Sequence, residues 1–301
     1  MPSRRPIARL RLRQRGVALL IVLWLSIMLT VLASGLAFDT RGEVLAARNT
    51  VSRVQAQLRA DGAVYRAFYE LTRPLAAAER WQADGAVHAW QEDDVSFAVS
   101  ATDESGRIDL NFASEALLRR LFTVIGGATD EQASAIVAAI QDWRDADDLT
   151  RPGGAEAEQY RAEGRKYRPT NQPFESVEEL HRVLGVSEEI FSRTAGELTV
   201  FSRLPGVNAA VASRQVLLAM PGATEETVDA YVAAREAALS AKQPVPAFPP
   251  AAAFNAAAVQ VWRILAEAIA ADGGRFTREA VARPSPDPRR VPTIYLWREA
   301  G

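Results

Sequence analysis

A chain of 301 residues, 48% hydrophobic and 24% charged, has the composition of a globular protein with room for a real core and two or three subdomains. With no cysteine it cannot be a disulfide scaffold, although exported proteins with large cores need no disulfides. The formal net charge of −2 includes six arginines within residues 1–16, so the remainder is distinctly acidic. That balance argues against nucleic acid or anionic lipid as a partner of this remainder and suits divalent cations.

Arg4, Arg5, Arg9, Arg11, Arg13 and Arg15 come first, and residues 1–16 hold no acid. By the positive-inside rule this end stays in the cytoplasm and everything after Asp39 lies outside. Val17 to Phe38 carries no charge, and as a helix it would run about 33 Å, the thickness of a bilayer core. Three fates compete for it. A secretory signal would be cut near Ser34-Gly35-Leu36-Ala37, although the apolar core is longer than such signals use. A plain anchor would stay uncut. The third reading rests on Gly16: a short basic leader ending in glycine before an apolar run resembles the type IV prepilin leader, cut between Gly16 and Val17 so that the apolar helix is kept.

The helix is expected to continue beyond the membrane. Val44, Ala47, Val51, Val54, Leu58, Asp61, Tyr65 and Phe68 recur at steps of three and four, an apolar stripe broken only at Asp61, and no proline intervenes before Pro74. One rod from Val17 to about Leu71 would measure roughly 80 Å, half in lipid and half laid on a domain by that stripe. Within the span, Ser26, Thr30 and Ser34 repeat every four residues beside Ala33 and Ala37, a small-residue face suited to close helix packing. Equally, their hydroxyls can bond their own helix carbonyls.

Val95–Ala101 alternates as a half-buried strand should, Asp103–Gly106 reads as a turn, and Arg107–Leu110 as its hairpin partner. Arg275–Val281 and Pro292–Arg298 are the other convincing strands. Strands at both ends with helical sequence between them predict a helix-plus-sheet domain interrupted by a helical insertion. The insertion holds a repeat: Ile125–Glu131 with Ala135–Ala139 matches Met220–Glu226 with Ala230–Ala234 at a constant offset of 95, and Thr129 and Thr224 should cap the helices. Such units resemble helix-hairpin-helix or SAM-like modules. DNA binding through them is disfavoured, because Asp130, Glu131, Glu225 and Glu226 stand where a phosphate would approach.

Between the repeats lies the densest acidic stretch. Asp142, Asp145, Asp147 and Asp148 gather at a helix end, and Pro152-Gly153-Gly154 turns the chain before Glu156 and Glu158. Converging carboxylates on an irregular loop suit calcium, which takes six to eight oxygens. The spacing is not that of an EF-hand, and a solvated acidic loop neutralised by Arg144, Arg151 and Arg165 is the competing reading. Asn171 and Glu178 can add oxygens, and Ser176 should cap the following helix. Catalysis finds little support: His88 and His181 are the only histidines, and no nucleophile elbow, P-loop or dinucleotide fingerprint is present.

Together the leader RGVALLIVLW, the segment QDWRDADD…RPGGAE…YRPTNQPFESVEELHRVLGV and the later SRLPGVNAA…LLAMPG resemble the type II secretion minor pseudopilin K family over essentially the whole chain. The resemblance implies an α+β fold: a pilin-like N-terminal long helix packed on a small antiparallel sheet, with a large inserted helical domain containing two helix-hairpin or SAM-like repeats. It divides the chain into a cleaved leader (1–16), the transmembrane (17–38) and amphipathic (39–80) parts of the helix, first strands (81–111), a first helical module with the acidic loop (112–200), a second helical module (201–270) and C-terminal strands (271–301).

It further implies a subunit at the tip of the periplasmic pseudopilus, anchored once in the inner membrane with a cytoplasmic N-terminus, that initiates assembly and helps export folded proteins. The implied partners are minor pseudopilins I and J, other pseudopilins, the inner-membrane assembly platform, prepilin peptidase and membrane lipid, with no nucleic acid. Calcium is the implied ion, with Asp145, Asp147, Asp148 and Glu156 leading a set that includes Asp142 and Glu158. Two positions depart from the general pilin pattern. Ile21 replaces the glutamate of the fifth mature position, as suits a tip subunit with no neighbour above whose amine needs pairing. Val17 stands where many pilins begin with phenylalanine, which bears on methylation of the new terminus. Ile21, Ser26, Thr30 and Ser34 are the candidate contacts with partner helices. The alternative is a membrane-anchored periplasmic binding module with helix-hairpin-helix-like repeats.

Overall fold

The computed structural model describes residues 17–74, 80–249, 260–285, 287 and 290–300, without the side chains of 36–41. Gly16 therefore lies outside the described residues. Helix α1 runs unbroken over Val17–Thr72, 56 residues or about 84 Å, and its Val17–Gly35 part is long and apolar enough to cross a membrane. Five antiparallel strands stand beside its far half in the order β1-β2-β5-β6-β7: β1 Asp84–Glu92, β2 Val95–Asp103, β5 Trp262–Ala270, β6 Arg275–Arg283 and β7 Thr293–Glu299. The chain is thus a mixed helix and antiparallel-sheet protein.

The face of α1 that meets the sheet is not the expected stripe. Ser52, Ala56, Ala60, Ala63, Val64, Ala67, Phe68 and Leu71 are buried, and they pack on Val95, Phe97, Val99, Ala101, Ile264, Ala266, Ala268, Ala280 and Ala282. Val44, Val51, Val54, Leu58 and Tyr65 are exposed, with Leu58 64% accessible against 0% for Ala60. At about 100° per residue the two sets point to roughly opposite sides of the helix. Small side chains win the sheet because alanine on alanine lets helix and strands approach closely, whereas the larger residues would hold them apart. Of the expected stripe only Phe68 is buried on this face. Asp61, its one interruption, accepts from Arg278 Nε of β6 at 2.6 Å, and the buried guanidinium also lies over the Phe276 and Trp297 rings.

Two strand assignments need correction. Ile108–Asp109, expected to pair back on β2, forms the short strand β3, which pairs in parallel with β4, Leu198–Thr199. The partner of β2 is instead β1, joined through Asp93 and Asp94, both at positive φ. Trp262–Ala270, assigned to the second helical module, is β5. Its alanines and glutamate read as helix, yet burial alternates through Trp262, Ile264, Ala266 and Ala268, and pairing on both sides overrides local propensity.

Residues 104–261 leave and rejoin the sheet at one point, since Asp103 at the end of β2 is the register partner of Trp262 at the start of β5. Within this insertion, two short helices are each followed by a long one: α2 (Glu115–Arg120) with α3 (Asp130–Arg144), and α6 (Arg214–Ala219) with α7 (Glu225–Ser240). Ser114, Thr129, Ser213 and Thr224 each accept a backbone N–H at the helix start. Arg120 links the pairs by donating to the Leu218 and Ala223 carbonyls. α4 (Ala157–Ala162), a 3-10 turn at Val177–Arg182 and α5 (Glu188–Thr194) lie between the pairs. The insertion has its own core around Leu117, Phe122, Ile140, Trp143 and Tyr160, separate from that under α1.

Removing the carboxylate that pairs with buried Arg278 should be costly. Asp61→Ala is expected to destabilise the chain by about 3 kcal/mol, read as a lower denaturant midpoint, whereas Arg59→Ala, whose pair with Asp93 is exposed, should cost under about 1 kcal/mol.

Candidate functional site

α3 carries the acidic region to its place. Thr129 and Gln132 close a capping box at its start, Ile136, Ile140 and Trp143 bury its inner face, and Asp145 is its C-cap. Asp142 falls one turn before that end and is completely buried. Its carboxylate accepts the Arg151 backbone N–H at 3.2 Å, because the loop doubles back at Pro152-Gly153-Gly154. Gly154 packs closely there: a Cβ would overlap Asp142 Oδ2, so that carboxylate would have to move. Immediately afterwards Glu156 stands at the N-cap position of α4, its N–H donating to Gln159 Oε1 at 2.9 Å, and is 4% exposed.

The arrangement is electrostatically unbalanced. Neither carboxylate oxygen of Glu156 has a hydrogen-bond partner, and the same holds for both oxygens of Asp145. Burial, reinforced by Asp142, Asp145, Asp148 and Asp147, pushes the Glu156 carboxyl up to about 7. Asp142 is also raised, by burial first, against the Arg151 N–H bond that favours its charged form. Among the described residues, the one cation inserted between these carboxylates is Arg151, with Nη2 at 2.9 Å from Asp145 Oδ2 and Nε at 3.6 Å from Asp142 Oδ1.

Asp147 and Asp148 are exposed at the rim. Asp147 accepts the Leu149 N–H, while Asn171 donates to the Asp148 side chain and to the Asp147 carbonyl. Glu158 is exposed in the first turn of α4 and is not among the charges that raise Glu156. Glu178 is turned away from the loop and bonds Arg298 of β7 at 2.8 Å. Of the expected neutralising arginines only Arg151 pairs with the cluster; Arg144 donates to the Leu110 carbonyl, and Arg165 forms no ion pair among the described residues.

Among the described residues, no three acidic or histidine side chains are already set as a metal cage. The donor chemistry nonetheless fits a hard cation: carboxylate oxygens, buried, without donors, on an irregular loop. In the span, Val17, Ile21, Ser26, Thr30 and Ser34 are all exposed, and the Ser26 and Thr30 hydroxyls donate to the Val22 and Ser26 carbonyls.

Sequence reasoning missed two residues here. Gly154 stands out only as part of a turn, and its close contact with Asp142 is invisible without the fold. In the sequence Arg151 is one neutralising charge of three, and its position between Asp142 and Asp145 depends on the tight return of the loop.

Comparison with known proteins adds the remaining evidence. A family profile for the type II secretion system (T2SS), protein K, matches residues 99–203. A type II secretion system protein K of Pseudomonas aeruginosa is 30% identical over 246 residues, 73% of each chain. A protein K of Pectobacterium carotovorum is 30% identical over 205 residues, 61% of this chain and 62% of the relative's length. In structure, the chain resembles one in the crystal structure of the GspK-GspI-GspJ complex from enterotoxigenic Escherichia coli, with a TM-score of 0.59, 14% identity, and coverage of 87% of this chain and 99% of that one. At that identity the likeness concerns the fold.

The Glu156 carboxyl sets a pH signature. Unfolded, it releases its proton near its ordinary 4.5; folded, near 7. Between those values the folded state keeps a proton that the unfolded state has lost, so stability falls as pH rises through this window. With chelator present, the melting temperature of the full chain should drop between pH 4.5 and 7, and Glu156→Gln should flatten that slope. An equal slope in the variant would assign the titration elsewhere.

Proposed function

The chain belongs to the type II secretion system protein K family, and from that premise we propose that it is a minor pseudopilin at the tip of the pseudopilus. There it initiates assembly and helps folded proteins cross the outer membrane. No catalytic step is assigned to it. The observation that carries the proposal is the two-sided helix α1. Its alanine face is consumed by its own sheet, while Val44, Val51, Val54 and Leu58 stay uncovered, with Tyr65 half-exposed beside Trp297 of β7, and continue the apolar surface of the Val17–Gly35 span. A solitary membrane-anchored domain has no use for such a face in water; a subunit that slides from bilayer into a filament has one. Its occupants are the corresponding helices of neighbouring pseudopilins, minor pseudopilins I and J first among them.

In this reading residues 1–16 are the prepilin leader, cut by prepilin peptidase after Gly16 on the cytoplasmic side. The arginines hold that end inside, the single span lies in the inner membrane, and the rest is periplasmic. Ile21 lies on an exposed part of the span where other pilins place an acid, in keeping with the top of the filament. The insertion, with its two capped helix pairs resembling SAM-like modules, forms the crown above a pilin-like helix and sheet.

We also propose that the acidic region holds calcium, with Asp145 and Glu156 as its core and Asp142, Asp147 and Asp148 around it. Glu158 has the weakest claim. The ion would add positive charge beyond that of Arg151 to carboxylates whose buried oxygens have no hydrogen-bond donor.

Processing separates the tip subunit from an anchored module. The mature chain is expected to begin at Val17, read by N-terminal sequencing, and a charged residue in place of Gly16 should block both the cut and secretion. A mature chain beginning at Met1, or normal secretion with an uncut leader, would contradict the proposal.

A further inference from the structure

We propose that Arg151 is a tethered counter-ion of the acidic region which a divalent cation must displace, so that this side chain sets the affinity of the site and its preference for divalent over monovalent ions. The inference rests on the calcium reading above and concerns what the chain itself does in the absence of the ion.

Several distances carry it. Arg151 Nη2 stands 2.9 Å from Asp145 Oδ2 and Nε stands 3.6 Å from Asp142 Oδ1, the only guanidinium paired with this cluster among the described residues. Neither Asp145 oxygen nor either Glu156 oxygen is hydrogen-bonded. The guanidinium is therefore close enough to neutralise but does not satisfy the acceptors, in contrast with the Arg278 and Asp61 pair, where the N–H groups are aligned. Meanwhile the Arg151 backbone N–H holds Asp142, so the loop stays anchored whether or not the side chain leaves.

The displaced side chain has somewhere to go. Arg151 is exposed overall and also lines a cleft of about 920 Å³ bounded by Phe112, Glu115, Val137, Gln141 and Pro173. Glu115 offers it a second carboxylate there, one that already accepts from Gln141. The charge balance then favours exchange by a divalent ion. Replacing one positive charge by two neutralises more of the carboxylates that a single guanidinium faces, whereas sodium or potassium replaces one charge by one and gains nothing to offset the loss of a pre-placed guanidinium.

Isothermal titration of the chelator-stripped, full-length chain in detergent tests this, with calcium and then sodium as the added ion at constant ionic strength. Arg151→Gln is expected to bind calcium at least about 10-fold more tightly than the unaltered chain, since the competitor is gone, and Arg151→Lys should fall between them. Equal or weaker binding by Arg151→Gln overturns the proposal. If neither the unaltered chain nor Arg151→Gln binds calcium, the calcium reading itself fails and takes the exchange with it. A second measurement does not depend on the variants folding. In the unaltered chain, saturating calcium should move the Arg151 Nε–H resonance towards that of a solvent-exposed arginine, and an unmoved resonance in a calcium-binding chain would show that no exchange occurs.

Discussion

Everything in this molecule hangs on how closely α1 approaches the sheet. Ala56, Ala60, Ala63 and Ala67 meet Ala266, Ala268, Ala280 and Ala282 over part of an interface that Phe68, Leu71, Phe97 and Trp262 also fill, so backbone packs near backbone where the alanines face each other. The approach is pinned at two places. Gly274 in the β5–β6 turn lies so near Ser52 that a Cβ would overlap its hydroxyl, and Asp61 holds Arg278 at the middle of the contact. By using its small residues on its own sheet, the helix keeps its large ones free. The division of one rod into a filled face and an open face is what makes assembly an extension of folding.

The insertion is tied to the same sheet with little latitude. It departs and returns between register partners Asp103 and Trp262, and the Glu104 N–H bonds the Val261 carbonyl at 2.8 Å. Alternating charges then cross the sheet's outer face. Buried Glu104 pairs with Arg263, Arg263 with Glu279, Glu279 with Arg298, and Arg298 with Glu178 on the turn that follows the acidic region. Each of these guanidiniums lies between two carboxylates, and Arg107, 3.7 Å from Glu104, brings three guanidiniums to three carboxylates. Glu178, on the turn after the acidic region, is thus tied to Arg298 of β7.

Much of this was legible beforehand, and the failures have physical causes. The spanning run, the continuous helix, the caps at Thr129 and Thr224, and strands β2, β6 and β7 follow from charge, period and local chemistry, which act within a few residues. The strand β5 and the pairing of Ile108–Asp109 were missed because each is decided by a partner distant in sequence. The inversion of α1 is the most instructive. Period alone identified a stripe of large apolar residues, yet it could not say whether they served this chain's core or a neighbour's, and alanines that look neutral in a sequence were the true inner face. At the acidic loop, residue types gave the chemistry, while the distinction between Glu156, buried and donor-free, and Glu158, exposed, required the turn at Gly154.

The most direct test of the two-faced helix uses the absence of cysteine. Single cysteines at Val54 or Leu58 in otherwise functional chains, labelled with a short maleimide–benzophenone reagent that inserts into any nearby C–H bond on irradiation in actively secreting cells, should yield adducts with other pseudopilins, whereas Val87→Cys, exposed on β1 away from the helix, should not. Adducts at Val87 with none at Val54 or Leu58 would mean that the open face of α1 is not where the chain joins its neighbours.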